Sequence, residues 1–360
     1  MKIINRYVLV QFFKYLMLCL AVLVFIYIII NLFDNLGKYL AKNALARDIL
    51  IFYAYHIPSY IVLLIPVASI MAAFFVFGHM TKNRELIALK TSGLNINRLF
   101  VLLLGAGLII SSFTFAFQET VGVWAETKKF EHKEQKIDHR PQREHKRRRN
   151  FFYHGENNWV YFIRSYDSQI QQMDGVILWK ITKQNTINQR IDAEYGIFKD
   201  SIWQFHNVVV RVFDTLGEES IAEHRDYALP ELEEIPQDFL KRIKPLEEMN
   251  FIEISRFARK RKQAGEDVAE EEVELHYRFS YPLITIIVLL ITLPLSVVLK
   301  KGGIAIGMGI SIVIAFTYWG MIQSSRAYGV AGIFDPLIAA WLPNAIFASI
   351  GIVLMWKVPR

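Results

Sequence analysis

The feature that most limits how this chain can fold is the placement of its apolar residues. Three long apolar runs cover about residues 15–36, 49–77 and 99–117, and three more cover about 279–299, 304–324 and 333–356. Crossing the roughly 30 Å hydrocarbon core of a bilayer takes about 20 helical residues, and each run is near or above that length. Lipid offers the backbone no hydrogen bonds, so a spanning segment must pair its own N–H and C=O groups, and all six runs are predicted as helices. The second run is the longest and holds Pro58 and Pro66, so tilt or a kink is expected there. Between the two triplets lies a polar block at about 119–277. The chain is therefore expected to divide into helices one to three (1–118), an inserted domain (119–277), and helices four to six (278–360).

Charge sets the expected orientation. Lys2, Arg6 and Lys14 stand before the first run, which is too long for a signal-peptide core and has no small-residue cleavage site. Leu18 before Cys19 does not suit lipoprotein processing, so the run is read as an uncleaved first span. The N-terminus, Lys82, Arg84, Lys90, Arg98, Lys300, Lys301, Lys357 and Arg360 fall on one side of the membrane. Lys38, Lys42, Arg47 and Arg326 fall in the short loops opposite. The more basic side is cytoplasmic and holds both termini, which places the central block outside, in the periplasm of a bacterium. The net charge of +7 is partly this topological bias and does not argue for nucleic acid. Cys19 is the only cysteine, so no intramolecular disulfide or thiolate metal cluster forms, and it is expected to face the membrane.

The central block has two characters. Residues 128–149 are crowded with Lys, Arg, His and Glu, and read as a helical extension of the third span, a flexible arm, or a surface for anionic headgroups, with a solvated charged strap preferred to a specific site. Their histidines, His132, His139 and His145, lack the spacing of a helical metal pair. From Phe151 the pattern turns to strands: 159–163, 175–179, 193–198 and 208–213 are β-branched and aromatic, separated by Asp, Asn, Gly and Ser turns. That is the signature of an all-β sandwich or open barrel. Residues 246–276 read as polar helix leading back to Pro282.

A short polar island, Gly78 to Gly93, links the second and third spans on the cytoplasmic side. Thr81 suits an N-cap, Glu85 the positive end of a short helix, and Gly93 its C-terminal stop. Lys82, Glu85, Leu86 and Leu89 share one face of such a helix, about 81–91, which suits docking into a partner's groove; an ordinary loop is the alternative. There is no Walker A sequence, no His-Glu-x-x-His and no Gly-x-Ser-x-Gly, so neither nucleotide hydrolysis nor hydrolase chemistry has residues to carry it. The intramembrane ionisable residues are too few for a proton or ion relay.

Several stretches together resemble one family. Glu85-Leu86 followed by Ser92-Gly93, His276 to Pro282, Ile291-Thr292-Leu293-Pro294-Leu295-Ser296 and Trp341-Leu342-Pro343-Asn344 look like the YjgP/YjgQ permeases, the LptF/LptG subunits of the lipopolysaccharide exporter. Arg6-Tyr7 and Phe33-Asp34-Asn35-Leu36 are more similar to the LptG side. The resemblance implies an α-helical membrane protein of six spans, three plus three, with an inserted jellyroll-like periplasmic β-domain in the Gram-negative inner membrane. It implies a non-catalytic subunit paired with an LptF-like paralogue and an LptC-like bridge, moving lipopolysaccharide out of the membrane lipid. An LptB-like ATPase dimer would supply the ATP and Mg chemistry, with no cofactor in this chain. Arg84, Glu85, Leu86, Leu89 and Gly93 would then form the ATPase-coupling surface. Lys38 is the foremost residue for a substrate phosphate, with Lys42 and Arg326 as weaker ones and Asp34 in the same substrate-binding set, and each of the three cations also reads as an interface anchor. The readings from other classes are a membrane-anchored periplasmic sensor and an ABC permease for another lipid or lipoprotein.

Overall fold

The computed structural model describes residues 2–92, 96–138, 147–155, 157–182, 186–213, 219–240, 244–263, 266–298 and 303–357. It forms two compact units. The first comprises Met1–His139, Leu246–Ile254 and Ala269–Arg360, and the second Arg140–Pro245 with Ser255–Val268.

The first unit is helical. It opens with α1 (Lys2–Ala41), α2 (Ala46–Lys82), the short α3 (Glu85–Thr91) and α4 (Asn97–Phe117). A π-helical turn at Gln118–Gly122 carries α4 into α5 (Val123–His132), and a second π turn follows at Lys133–Ile137. The 41 residues from Asn97 to Ile137 thus form one rod about 60 Å long at 1.5 Å per residue, twice what a span requires. Of the three readings of the charged stretch, residues 128–137 take the helical extension. Residues 139–146, with His139 and His145, lie outside the described residues. The unit closes with the start of α6 (Phe251–Gln263), then α7 (Ala269–Ser280), α8 (Ile284–Val298), α9 (Gly303–Val330) and α10 (Pro336–Lys357).

Among the described residues five helices are long and apolar enough to cross a membrane, or six if α7 and α8, bent by 47° at their break, are counted as one span. Pro282 explains the bend, because proline offers no N–H and pushes the preceding residue out of helical geometry. The break is stabilised from other helices. Asn344 Nδ2 donates to the Ser280 carbonyl at 2.7 Å, and Tyr318 Oη donates to Asn344 Oδ1 at 2.7 Å. Tyr281 Oη donates to the Leu63 carbonyl at 3.1 Å.

Packing departs from expectation at two points. Cys19 does not face outward: it is 4% exposed, in the core that α1 shares with α2 and α4. The outward face of α1 is carried by larger residues such as Phe13, Leu18, Phe25 and Phe33. Thr81 does not cap a helix: it lies within the last turn of α2, its hydroxyl donating to the Phe77 carbonyl at 2.7 Å. α2 runs to Lys82, and the break falls at Asn83 and Arg84, where Arg84 takes a left-handed φ of 59°.

The second unit is built on β-strands, as its patterning requires, and also takes the larger part of α6 from Ser255. Its strands β1 (Arg147–His154), β2 (Trp159–Asp167), β3 (Gln172–Ile181), β4 (Ile187–Lys199), β5 (Ile202–Phe213) and β6 (Glu219–Leu229) form one antiparallel sheet in sequence order. Burial alternates along each inner strand but slips by one residue at a common row. On β2 the buried side chains run Trp159, Tyr161, Ile163 and then Tyr166, and on β5 Trp203, Phe205 and then Val208 and Val210. All five ladders skip that row, which holds Asn150, Arg164, Gly175, Glu194, Asn207 and Arg225. Asn150, Gly175 and Asn207 have φ of 48°, 59° and 51°, so every second strand turns there through the left-handed region. The row is a crease. It bends the sheet while keeping the same aromatic face inward on both sides.

Residues 230–240 cover that face. Phe239 is fully buried against the rings of Tyr153, Tyr161, Tyr166 and Trp203. Polar contacts fix the segment in place: Tyr161 Oη donates to Glu234, Trp203 Nε1 to the Glu234 carbonyl at 2.7 Å, and Tyr166 Oη to the Pro236 carbonyl at 2.9 Å. Arg148 Nη1 donates to the Phe239 carbonyl at 3.2 Å.

Candidate functional site

Two polar clusters occupy the helical unit. One surrounds α3. Glu85 begins this helix, where a carboxylate is favoured by the helix dipole, and accepts the Tyr7 hydroxyl on both oxygens at 3.2 Å and Asn83 Nδ2 at 3.3 Å. The predicted coupling residue is therefore tied to the first turns of α1. Leu86 is 7% exposed and Leu89 half-buried, both packed in the core of the helical unit, so they anchor α3 rather than face outward. The outward surface is formed by Arg84, Ile87, Ala88 and Thr91, with Ile87 61% exposed. Gly93 lies outside the described residues. Ile87 is thus the large apolar side chain that this seven-residue helix leaves exposed.

The other cluster was not foreseen. Arg278, with its side chain 3% exposed, donates to Glu119 Oε1 at 2.7 Å and to the Leu246 carbonyl at 2.9 Å, and lies 3.6 Å from Glu274. Glu274 in turn pairs with Arg326 at 2.6 Å, and Arg326 lies over the Tyr277 ring. Glu119 also accepts the Phe251 backbone N–H at 2.7 Å, fixing the start of α6. Asn250 and Glu253 close a reciprocal capping box there. The sequence did hold a signal: Glu274 and Arg278 stand at i, i+4 on a helix entering an apolar run.

The substrate candidates divide in the same way. Lys38 is exposed, its ammonium donating to Asn35 Oδ1 at 3.0 Å, and Asp34 lies exposed one turn before it on α1. Lys42 is already paired with Asp138 at 2.6 Å, and Arg326 with Glu274. Lys38 is thus the residue of this set best placed to accept a new anion. Asn31 is half-buried, accepting from Tyr53 Oη at 2.9 Å.

Five or six apolar spans among the described residues, with a β-domain inserted between two groups of them in the sequence, define a multi-pass membrane protein. More narrowly, the chain belongs to the lipopolysaccharide export system permease LptF/LptG family, whose sequence model matches residues 6–357. The match covers LptF and LptG subunits alike, a family of lipopolysaccharide export permeases that are transport subunits and generally non-catalytic. No curated protein matches the sequence.

Proposed function

We propose that the chain is an LptG-type permease subunit which, with an LptF-like partner, extracts lipopolysaccharide from the inner membrane and passes it through an LptC-like protein to a periplasmic bridge. The observation that carries this reading is the family match over nearly the full chain. Both termini are cytoplasmic and the β-domain periplasmic. An LptB-like ATPase dimer docks on α3 through Arg84 and Ile87, and hydrolyses ATP with Mg. Glu85 passes the motion to α1 through Tyr7, since a push on α3 reaches α1 by that contact. Energy is needed because each acyl CH₂ withdrawn from the bilayer gives up about 0.8 kcal/mol. Lys38 meets a substrate phosphate, and Lys42 and Arg326 contribute only by exchanging their present carboxylate partners.

Co-purification from native membranes in mild detergent tests this, comparing wild type with Glu85→Ala. Recovery of an ATPase and a second six-span permease with bound lipopolysaccharide, and an ATPase weakened or uncoupled in the variant, is expected. Recovery of the chain alone, with the variant indistinguishable, would overturn the reading.

A further inference from the structure

A cavity of about 360 Å³ lies inside the helical unit, between α1, α2, the π turn after α4, and α7. Its wall carries polar side-chain atoms that are buried and have no hydrogen-bond partner: Tyr60 Oη, His56 Nδ1, Gln118 Oε1 and Arg278 Nε. Tyr60 and Arg278 are 3% and 2% exposed. A buried polar atom left unpaired costs about 1–3 kcal/mol; Arg278 Nε keeps Glu274 at 3.6 Å, and the other three around one space mark it as built for a polar guest. The π turn contributes Gln118 and Gly122 to the wall, and such turns recur at functional sites.

The wall specifies the guest's chemistry. Gln118 Oε1 only accepts, and Tyr60 and His56 also present acceptor lone pairs. Glu126, Glu247 and Glu274 add three carboxylates, of which Glu274 is already paired with Arg326 and Arg278; Arg278, the single lining cation, also donates to Glu119 and the Leu246 carbonyl. Glu126 shares its charge with Lys129 and accepts Ser59 Oγ at 2.5 Å, whereas Glu247 makes no ion pair among the described residues. An anion is therefore disfavoured. A metal ion fits poorly too, since among the described residues no three His, Cys, Asp or Glu side chains converge to hold one. Aromatic faces complete the wall: the Tyr27 and Tyr60 rings lie 4.5 Å apart, and Tyr277 and Tyr281 stand opposite on the bent span. Acceptors, carboxylates and aromatic faces together recognise an organic ammonium through N–H donation and cation–π attraction.

We infer that this cavity binds a primary ammonium group of the ethanolamine type, carried by a lipid headgroup or a small soluble amine. The site is distinct from α3, and its lining residue Asn31 connects through Asn35 to Lys38.

The test uses the full chain purified in detergent. Its thermal unfolding is followed while ethanolamine, choline or potassium chloride is added at matched ionic strength. Ethanolamine should raise the melting temperature saturably, choline less because it has no N–H to donate, and potassium not at all. Tyr60→Phe should weaken the ethanolamine response about threefold, as for one neutral hydrogen bond, and Glu126→Gln about tenfold, as for a charged one. Without ethanolamine, Tyr60→Phe should melt no lower than wild type, because the hydroxyl it deletes has no partner to lose. Lipid discs separate the sources. A response to ethanolamine that disappears only when the discs contain phosphatidylethanolamine marks the headgroup, and one that persists marks a soluble amine. No saturable shift, an equal response to choline, or unchanged responses in both variants would overturn the proposal.

Discussion

Tyr161 and Tyr166 bury their phenols inside the β-sheet, and both resist ionisation for that reason. Burial, reinforced by the bonded Glu234 carboxylate, pushes Tyr161 far above its ordinary value. Burial, helped by Asp167, pushes Tyr166 up to about 12. Below about pH 10 both are neutral folded or unfolded, and their contribution to stability is complete. Above it the unfolded phenols lose protons while the folded ones keep them, so stability falls by up to about 1.4 kcal/mol per pH unit for each tyrosine. Alkaline titration should therefore show their tyrosinate absorbance appearing together with loss of β-domain circular dichroism, not ahead of it. A second residue-scale prediction concerns Tyr7. Tyr7→Phe keeps the ring but releases Glu85 from α1, and on the exporter reading it should lower transport per ATP hydrolysed while the ATPase stays bound, as a coupled transport assay would show. Glu85 was legible in the sequence because a carboxylate opening a short polar helix is a local pattern. Tyr7 was not, because its partner is 78 residues away.

At the scale of elements, legibility followed periodicity. The strands β2 to β5 alternate β-branched and aromatic residues and were readable. The outer strands were not. β1 begins Arg147-Arg148-Arg149, where charge hides the strand, and β6 is a largely exposed edge with little apolar alternation. The arginines still belong to the fold, since Arg148 lies 4.0 Å over the Phe151 ring and its burial lowers its pKa. The bend between α7 and α8 was only half legible: Pro282 forecasts a break, but not which groups satisfy the carbonyl it frees. Asn344 does so from α10. Asn344→Leu would strip a partner from both the Ser280 carbonyl and the Tyr318 hydroxyl, at about 1–3 kcal/mol for each orphaned group. Thermal unfolding in detergent should show the loss, and Asn344→Gln should be milder if its longer amide still reaches.

Across the whole chain, the three-plus-three order and the inserted β-domain were legible because apolar run length is a global signal that does not need partners to be known. Of the buried charge network only the Glu274–Arg278 spacing on α7 was legible, because Glu119 and Arg326 come from separate segments and meet that pair only on folding. Arg278 joins the rod after α4, the segment at Leu246 and the bent span. Arg278→Met should cost about 3 kcal/mol, the low end for breaking a buried pair, because Glu119 keeps the Phe251 N–H and Glu274 keeps Arg326. Denaturant unfolding of the purified chain would measure it, and Glu119→Gln, which can still accept, should cost less.

The crease in the β-sheet carries a liability of its own. A bend spread over many residues fails gradually, but this one is scored along a single line through Asn150, Gly175 and Asn207. A side chain on Gly175 would also press on Arg164, with the added Cβ 2.9 Å from the arginine's own. Replacing all three by valine, which resists left-handed geometry, should flatten the sheet and lift its aromatic lining into water. A flat apolar sheet with open edges recruits other sheets. The triple variant, purified in detergent, should therefore sediment as an aggregate that binds an apolar dye, while each single variant stays dispersed.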